Sequence, residues 1–229
     1  MITLSQITSD IRNIAASGEL AYAFRVEDEL IHFWIHEVRA MMISQSIAKR
    51  QNITDTWVQE ISCVPLVQVD ESECCLVDTG CLVLRSETQL PHTIETVADN
   101  SIIRVVTSAG QIISKSNAFE VKYNKYNRYT AKKTQWFLKN GYLYILNDQF
   151  MEYINVYGLF EDPSELSNYT SCTGITCFSA DDAYPVSNKM SNEITNYIIK
   201  TKVVPFLKFP QDNSNDGAKN ESQLPGNPA

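Results

Sequence analysis

Residues 26–50 read VEDELIHFWIHEVRAMMISQSIAKR and contain neither proline nor glycine. Straight-chain helix formers dominate the stretch. Glu27, Asp28 and Glu29 open it and Lys49 and Arg50 close it, the charge order that complements a helix dipole. Leu30, Phe33, Trp34, Val38 and Met41 recur at the spacing of one helical face. Ile31, Ile35, Met42 and Ile43 widen that stripe well past a single face, so the helix is expected to pack on more than one side. It is either a central strut or a helix that meets other subunits as well as its own core.

Upstream, Thr3 and Gln6 have capping-box spacing before a face of Leu4, Ile7, Ile11 and Ile14, and Ser17-Gly18 ends that short helix. Downstream the texture becomes β-rich. Residues 57–67 read as a strand whose Pro65 suits an edge. Residues 81–84, 101–108, 111–114 and 153–160 read as further strands, with a turn at Ala109-Gly110. Residues 119–130 read as extended. Asn140-Gly141 between two β-rich runs marks a two-residue hairpin. Pro163 opens a short helix, and a closing helix runs from 188 to about 204 with the stripe Met190, Ile194, Tyr197 and Ile198. Asp181-Asp182 ahead of it reads as a dipole and capping pair, and Pro205 stops or kinks it. The fold class expected is α+β: a small helical bundle from the N- and C-terminal helices (1–56 and 161–209), an inserted antiparallel β module (57–160) and a flexible, polar C-terminal tail (210–229).

The 229-residue chain carries a net charge of −8, which argues against a general polyanion binder. It has no apolar run of the ~18–20 residues that a membrane helix needs, and its first residues lack the pattern of a signal peptide. The six cysteines, at 63, 74, 75, 81, 172 and 177, are therefore expected as free thiols. Neither Cys74-Cys75 with Cys81 nor Cys172 with Cys177 has zinc-finger spacing. Glu29 and His32 are spaced like a bundle metal pair, but the second such motif that a di-metal site needs is missing. His32 and His36 are better read as flanking an amphipathic helix. No nucleophile elbow, phosphate loop or dinucleotide fingerprint occurs. Neither a catalytic residue nor a cofactor is expected.

One segment stands apart electrostatically. Between 115 and 139 seven Lys or Arg face Glu120 alone, and tyrosines interleave with the bases in Lys122, Tyr123, Lys125, Tyr126, Arg128, Tyr129, Lys132 and Lys133. Basic plus aromatic can grip single-stranded nucleic acid. Against an acidic remainder it equally suits contact between copies or an acidic partner, or a solvated surface.

The order of these features resembles a family. The long helix with FWIHEVRAMMI (33–43), Trp57-Val58-Gln59 entering strands, KYNKYNRYT (122–130), GLFEDPSEL (158–166), Tyr184-Pro185-Val186 and the tail PQDNSNDG (210–217) look like structural proteins of crAss-like bacteriophages, namely a head-to-tail connector of the ring or adaptor kind (ring protein 1-like). The resemblance covers most of the chain and is weakest from 70 to 100. It implies a virion protein, made in the host cytoplasm, that forms a homo-oligomeric ring of twelve copies. That ring would sit below the portal protein, beside other tail ring or hub proteins. It would line the channel through which double-stranded DNA passes without sequence readout, and would involve no membrane. The extra apolar positions Ile31, Ile35, Met42 and Ile43, with the basic-aromatic residues above, are then expected at subunit or partner interfaces. Pro210, Asp212, Asn215 and Asp216 belong to a tail expected to reach the portal. The alternative is a nucleic-acid-binding module using residues 122–133.

Overall fold

Thr3 and Gln6 exchange reciprocal bonds at the start of α1 (Leu4–Ala16): Thr3 N–H donates to Gln6 Oε1 at 3.1 Å, and Gln6 N–H to Thr3 Oγ1 at 3.2 Å. The capping box read from the sequence is formed. Leu4, Ile7 and Ile11 are buried, whereas Ile14 is exposed and Ala15 continues the inner row. The structure, a computed structural model, describes residues 2–16, 26–70, 83–96, 101–117, 126, 128–129 and 132–207. The expected end of α1 at Ser17-Gly18, residues 71–82 and the tail from 210 lie outside them.

Helix α2 (Asp28–Ala48) follows, and Arg12 of α1 ties its start, 2.7 Å from Asp28 Oδ1 and donating to Val26 O at 3.1 Å. Near the chain's end, α3 (Asn188–Ile198) is capped by Ser187, whose Oγ accepts from Met190 N–H at 3.2 Å. Asp181 and Asp182 do not cap it, contrary to expectation; Asp182 Oδ2 accepts from Ser179 N–H at 2.7 Å and closes the preceding turn. Met190, Ile194 and Ile198 are buried, while Tyr197 is partly exposed. Pro205 neither stops the helix nor acts at its own position alone. A π-helical turn (Ile199–Val203) comes first, in which Val204 N–H bonds Ile199 O, and α4 (Val204–Leu207) continues past it. Proline removes one donor from the ladder, and a widened turn redistributes the bonds around that gap. Helices α1, α2 and α3 touch one another.

Among the described residues seven strands form a closed barrel: β1 (Gln59–Val69), β2 (Val83–Ser86), β3 (Ile102–Thr107), β4 (Ile112–Lys115), β5 (Gln135–Lys139), β6 (Tyr142–Leu146) and β7 (Tyr153–Gly158), in the order β1-β2-β6-β5-β4-β3-β7. The β module is thus antiparallel except at β4–β5, which pair in parallel. Their register, Ser114↔Gln135 and Lys115↔Trp136, sets the end of β4 beside the start of β5.

Strand β1 serves two neighbours. Its first part pairs with β7, from Gln59↔Gly158 to Pro65↔Tyr153, and its second with β2, from Leu66↔Ser86 to Val69↔Val83. Pro65 sits at this switch, beside a bulge where Cys63 has φ +56° and its N–H donates to Asn155 Oδ1 at 2.9 Å. The expected edge position is therefore replaced by a bulge, the other place a strand tolerates proline. Asn140 and Gly141, at φ +52° and +78°, make the β5–β6 hairpin as read.

Alternation along the strands separates two apolar clusters. Trp136, Leu143 and Ile145 join Ile61, Val105, Ile154 and Val156 in a core continuous with Ile7, Ile35 and Ile194 of the helices. In the opposite phase, Phe137, Tyr144 and Leu146 cluster with Val69 and Val83, the two rings stacked at 5.1 Å. One large core thus joins helices and barrel. Two cysteines depart from the free-thiol expectation: Cys63 on the bulge and Cys172 in the turn bounded by the Thr170↔Thr176 bridge form a disulfide, with Cα atoms 5.3 Å apart. Cys177 is a half-buried free thiol.

Candidate functional site

Arg39, in the middle of α2, is completely buried. A charge there must be met by acceptors on every side, and the fold provides them from three segments. Nη1 donates to Phe160 O at 2.7 Å, Nε to Pro185 O at 3.1 Å, and Nη2 to Trp57 O at 3.3 Å and Gln59 Oε1 at 3.4 Å. The guanidinium lies 5.8 Å from the centre of the Tyr184 ring. Burial pulls its pKa down from the ordinary value, while Tyr184 and Asp162 oppose that pull. Arg39 therefore ties α2 to the entry of β1, the exit of β7 and the approach to α3 at once.

One turn earlier, His36 sits in the same seam. Its Nδ1 is 2.8 Å from Tyr184 Oη, and its Nε2 is 3.1 Å from Ser164 Oγ and 3.3 Å from Asp162 Oδ1. An ionised carboxylate only accepts, so Nε2 carries the proton and Nδ1 accepts from the tyrosine hydroxyl. The neutral ring is satisfied at both nitrogens. Burial pushes its pKa down to about 4, with Asp162 opposing and Arg39 and His32 assisting. Burial also raises the Tyr184 phenol, keeping it a donor.

Ser, His and Asp at this range invite comparison with a hydrolase triad, and the geometry refuses it. A triad places serine and carboxylate on opposite ring nitrogens; here Ser164 and Asp162 approach the same one, and Tyr184 occupies the other. Asp162 is also spent on its own turn, accepting from Ser164 N–H at 2.7 Å. The cluster is a structural clamp. His36 is thus no flanking residue but part of the interior, while His32 is half-buried. Among the described residues no group of three or more His, Cys, Asp or Glu could hold a metal ion, and no described helix is long and apolar enough to cross a membrane.

The clamp fixes how α2 is rotated, and this corrects the expected interface. Ile31, Ile35 and Ile43 are fully buried inside their own chain and cannot face a neighbour; Met42 is half-buried against the same core. Leu30 and Phe33, both counted in the apolar row, are exposed at 40% and 61%. Because Arg39 and His36 point at the segments that enter and leave the barrel, the inner row runs Ile31, Ile35, Val38 and Ile43. Of the basic-aromatic residues, Tyr126, Arg128, Tyr129, Lys132 and Lys133 are exposed. Lys122, Tyr123 and Lys125, like Pro210, Asp212, Asn215 and Asp216, lie outside the described residues. The sequence alone assigns no role to Arg39, Asp162 or Tyr184. The one available signal was an arginine set inside the apolar run 30–43.

The model of a protein family described as phage tail ring protein 2, of the crAss-like kind, matches residues 6–222. The chain belongs to the phage tail ring protein 2 family. The resemblance to crAss-like ring proteins holds, with ring protein 2 as the type. No curated protein matches the chain. A phage tail ring protein is a structural component of the virion and an oligomer. A polar clamp in which every nitrogen of Arg39 and His36 has a partner, and which ties a helix to the ends of barrel strands, fits a part whose work is to hold its shape.

Proposed function

We propose that this ring protein is the head-to-tail connector between portal and tail, a closed ring of twelve copies that lines the DNA ejection channel. The observation that carries the reading is the family match over residues 6–222, nearly the whole chain. A ring needs heterologous contacts that close by rotation, so each copy must present two different faces. In this reading residues 1–56 and 161–209 form a helical adaptor bundle, residues 57–160 are its inserted β module, and residues 210–229 form a tail that reaches the portal. The excess of acidic residues, net −8, keeps passing DNA from adhering to the channel wall. The protein carries out no chemistry of its own. Portal binding is tested by co-purification of the portal protein with the full chain and with a chain ending at residue 209. Capture by the first and loss with the second is expected; equal capture by both removes the tail from the contact, and capture by neither removes the portal.

One observation favours a second reading, a nucleic-acid grip. Tyr126 and Tyr129 are exposed at 78% and 86% beside Arg128, Lys132 and Lys133. Such a grip loses affinity steeply with salt. Titration of labelled DNA at physiological salt is expected to show little binding; tight, salt-sensitive binding would favour the grip.

A further inference from the structure

Strand register places two surfaces of opposite charge at opposite rims of the barrel. At one rim, Gly158 pairs with both Gln59 and Ile102. The chain beyond it bridges Phe160 to Thr93, and Ile94 N–H donates to Leu159 O at 2.9 Å. Between these segments and α2 lies a groove of about 640 Å³. Phe33 and Met41 give it an apolar wall, and Glu37, Glu95, Glu161 and Glu165 line it. Lys202 Nζ neutralises Glu37 at 3.0 Å. Glu95 and Glu161 are exposed, and neither makes an ion pair among the described residues. Phe33, at 61% exposure, is a large ring left in water on the flank that α2 turns away from its own core.

At the other rim, Gln135 pairs with Leu146 and Val69 with Val83. Lys133, just before β5, belongs here with its neighbour Lys132, because Asn147 Nδ2 donates to Lys133 O at 2.9 Å. Both lysines are exposed, as are Tyr126, Arg128 and Tyr129 earlier in the chain. One rim therefore offers cations, and the other offers carboxylates with an exposed ring and a thioether.

We propose that the groove between α2 and the barrel rim is the socket for Lys132 and Lys133, with Tyr126, Arg128 and Tyr129, of the next copy of this chain. A contact between unlike ends of two copies is heterologous, the kind that propagates into a ring. Arg and Lys against the carboxylates of Glu95 and Glu161 supply steering and register, and tyrosines beside Phe33 and Met41 supply apolar area and ring packing. This rests on the ring reading above and names its subunit contact.

Zero-length carbodiimide cross-linking of an equal mixture of heavy- and light-isotope protein, together with its tail partners, tests the socket. Isotopically mixed links from Lys132 or Lys133 to Glu95 or Glu161 are expected. Links that join only other residues overturn the socket. In parallel, Lys132→Glu with Lys133→Glu, or Glu95→Lys with Glu161→Lys, is expected to weaken self-association by about tenfold or more, and the four changes in one chain to restore it. Undiminished assembly of the Lys→Glu variant overturns the socket while leaving the ring reading intact. So does loss of DNA binding by that variant with assembly unchanged. A wild-type chain that never self-associates, even with its partners, sinks the ring reading instead.

Discussion

Arg39 concentrates the stability of the fold in one side chain. Replacing it with methionine keeps the volume but leaves the carbonyls of Trp57, Phe160 and Pro185 without their donor. Each orphaned buried acceptor costs roughly 1–3 kcal/mol, so a loss of about 3 kcal/mol or more is expected in urea unfolding. Lysine should not rescue it, because one ammonium cannot reproduce a planar fork aimed at separate segments. A midpoint that does not move would show that the clamp is idle. The neighbouring His36 makes stability depend on pH. Its folded-state pKa is about 4 against an ordinary value of 6.5, so between these values the unfolded chain binds a proton that the folded chain refuses. Stability is full above pH 6.5, falls as pH drops toward 4, and stops changing on this account below that. The whole window is worth roughly 3 kcal/mol. His36→Gln should flatten it, as followed by thermal unfolding at pH 4.5 and 7; an unchanged pH slope would contradict the assignment.

Elements were legible where local chemistry decides them. The β5–β6 hairpin needs positive φ at both turn residues, and Asn140-Gly141 supplies it. Gly141→Ala is accordingly expected to cost about 1 kcal/mol, measured by chemical denaturation; a neutral result would mean that the turn relaxes. The capping box at Thr3 and Gln6 and most strands were equally readable, because each depends on residues a few positions apart. Barrel closure was not: no local signal says that β1 divides itself between β7 and β2, or that β4 and β5 run parallel. The phase of α2 was misread for a related reason. Its apolar stripe is broad enough to fit several rotations, and the choice is made by carbonyls more than 100 residues away, at Phe160 and Pro185. The Cys63–Cys172 pair, separated by 109 residues, is long-range in the same sense.

At the scale of the molecule, the candidate site divides in the same way. The basic-aromatic run was visible in the sequence as composition. Its counterpart was not, since Phe33, Glu95 and Glu161 meet only when α2, the segment after β2 and the segment after β7 converge. The charge balance of −8 describes the whole chain and hides this polarity between the rims. A part with a rigid interior and two unlike ends suits repetition around an axis better than binding a small molecule. Negative-stain electron microscopy of the purified protein with its portal and tail partners is the most direct measurement. Closed rings of uniform diameter are expected; particles that remain single copies under those conditions would contradict the connector.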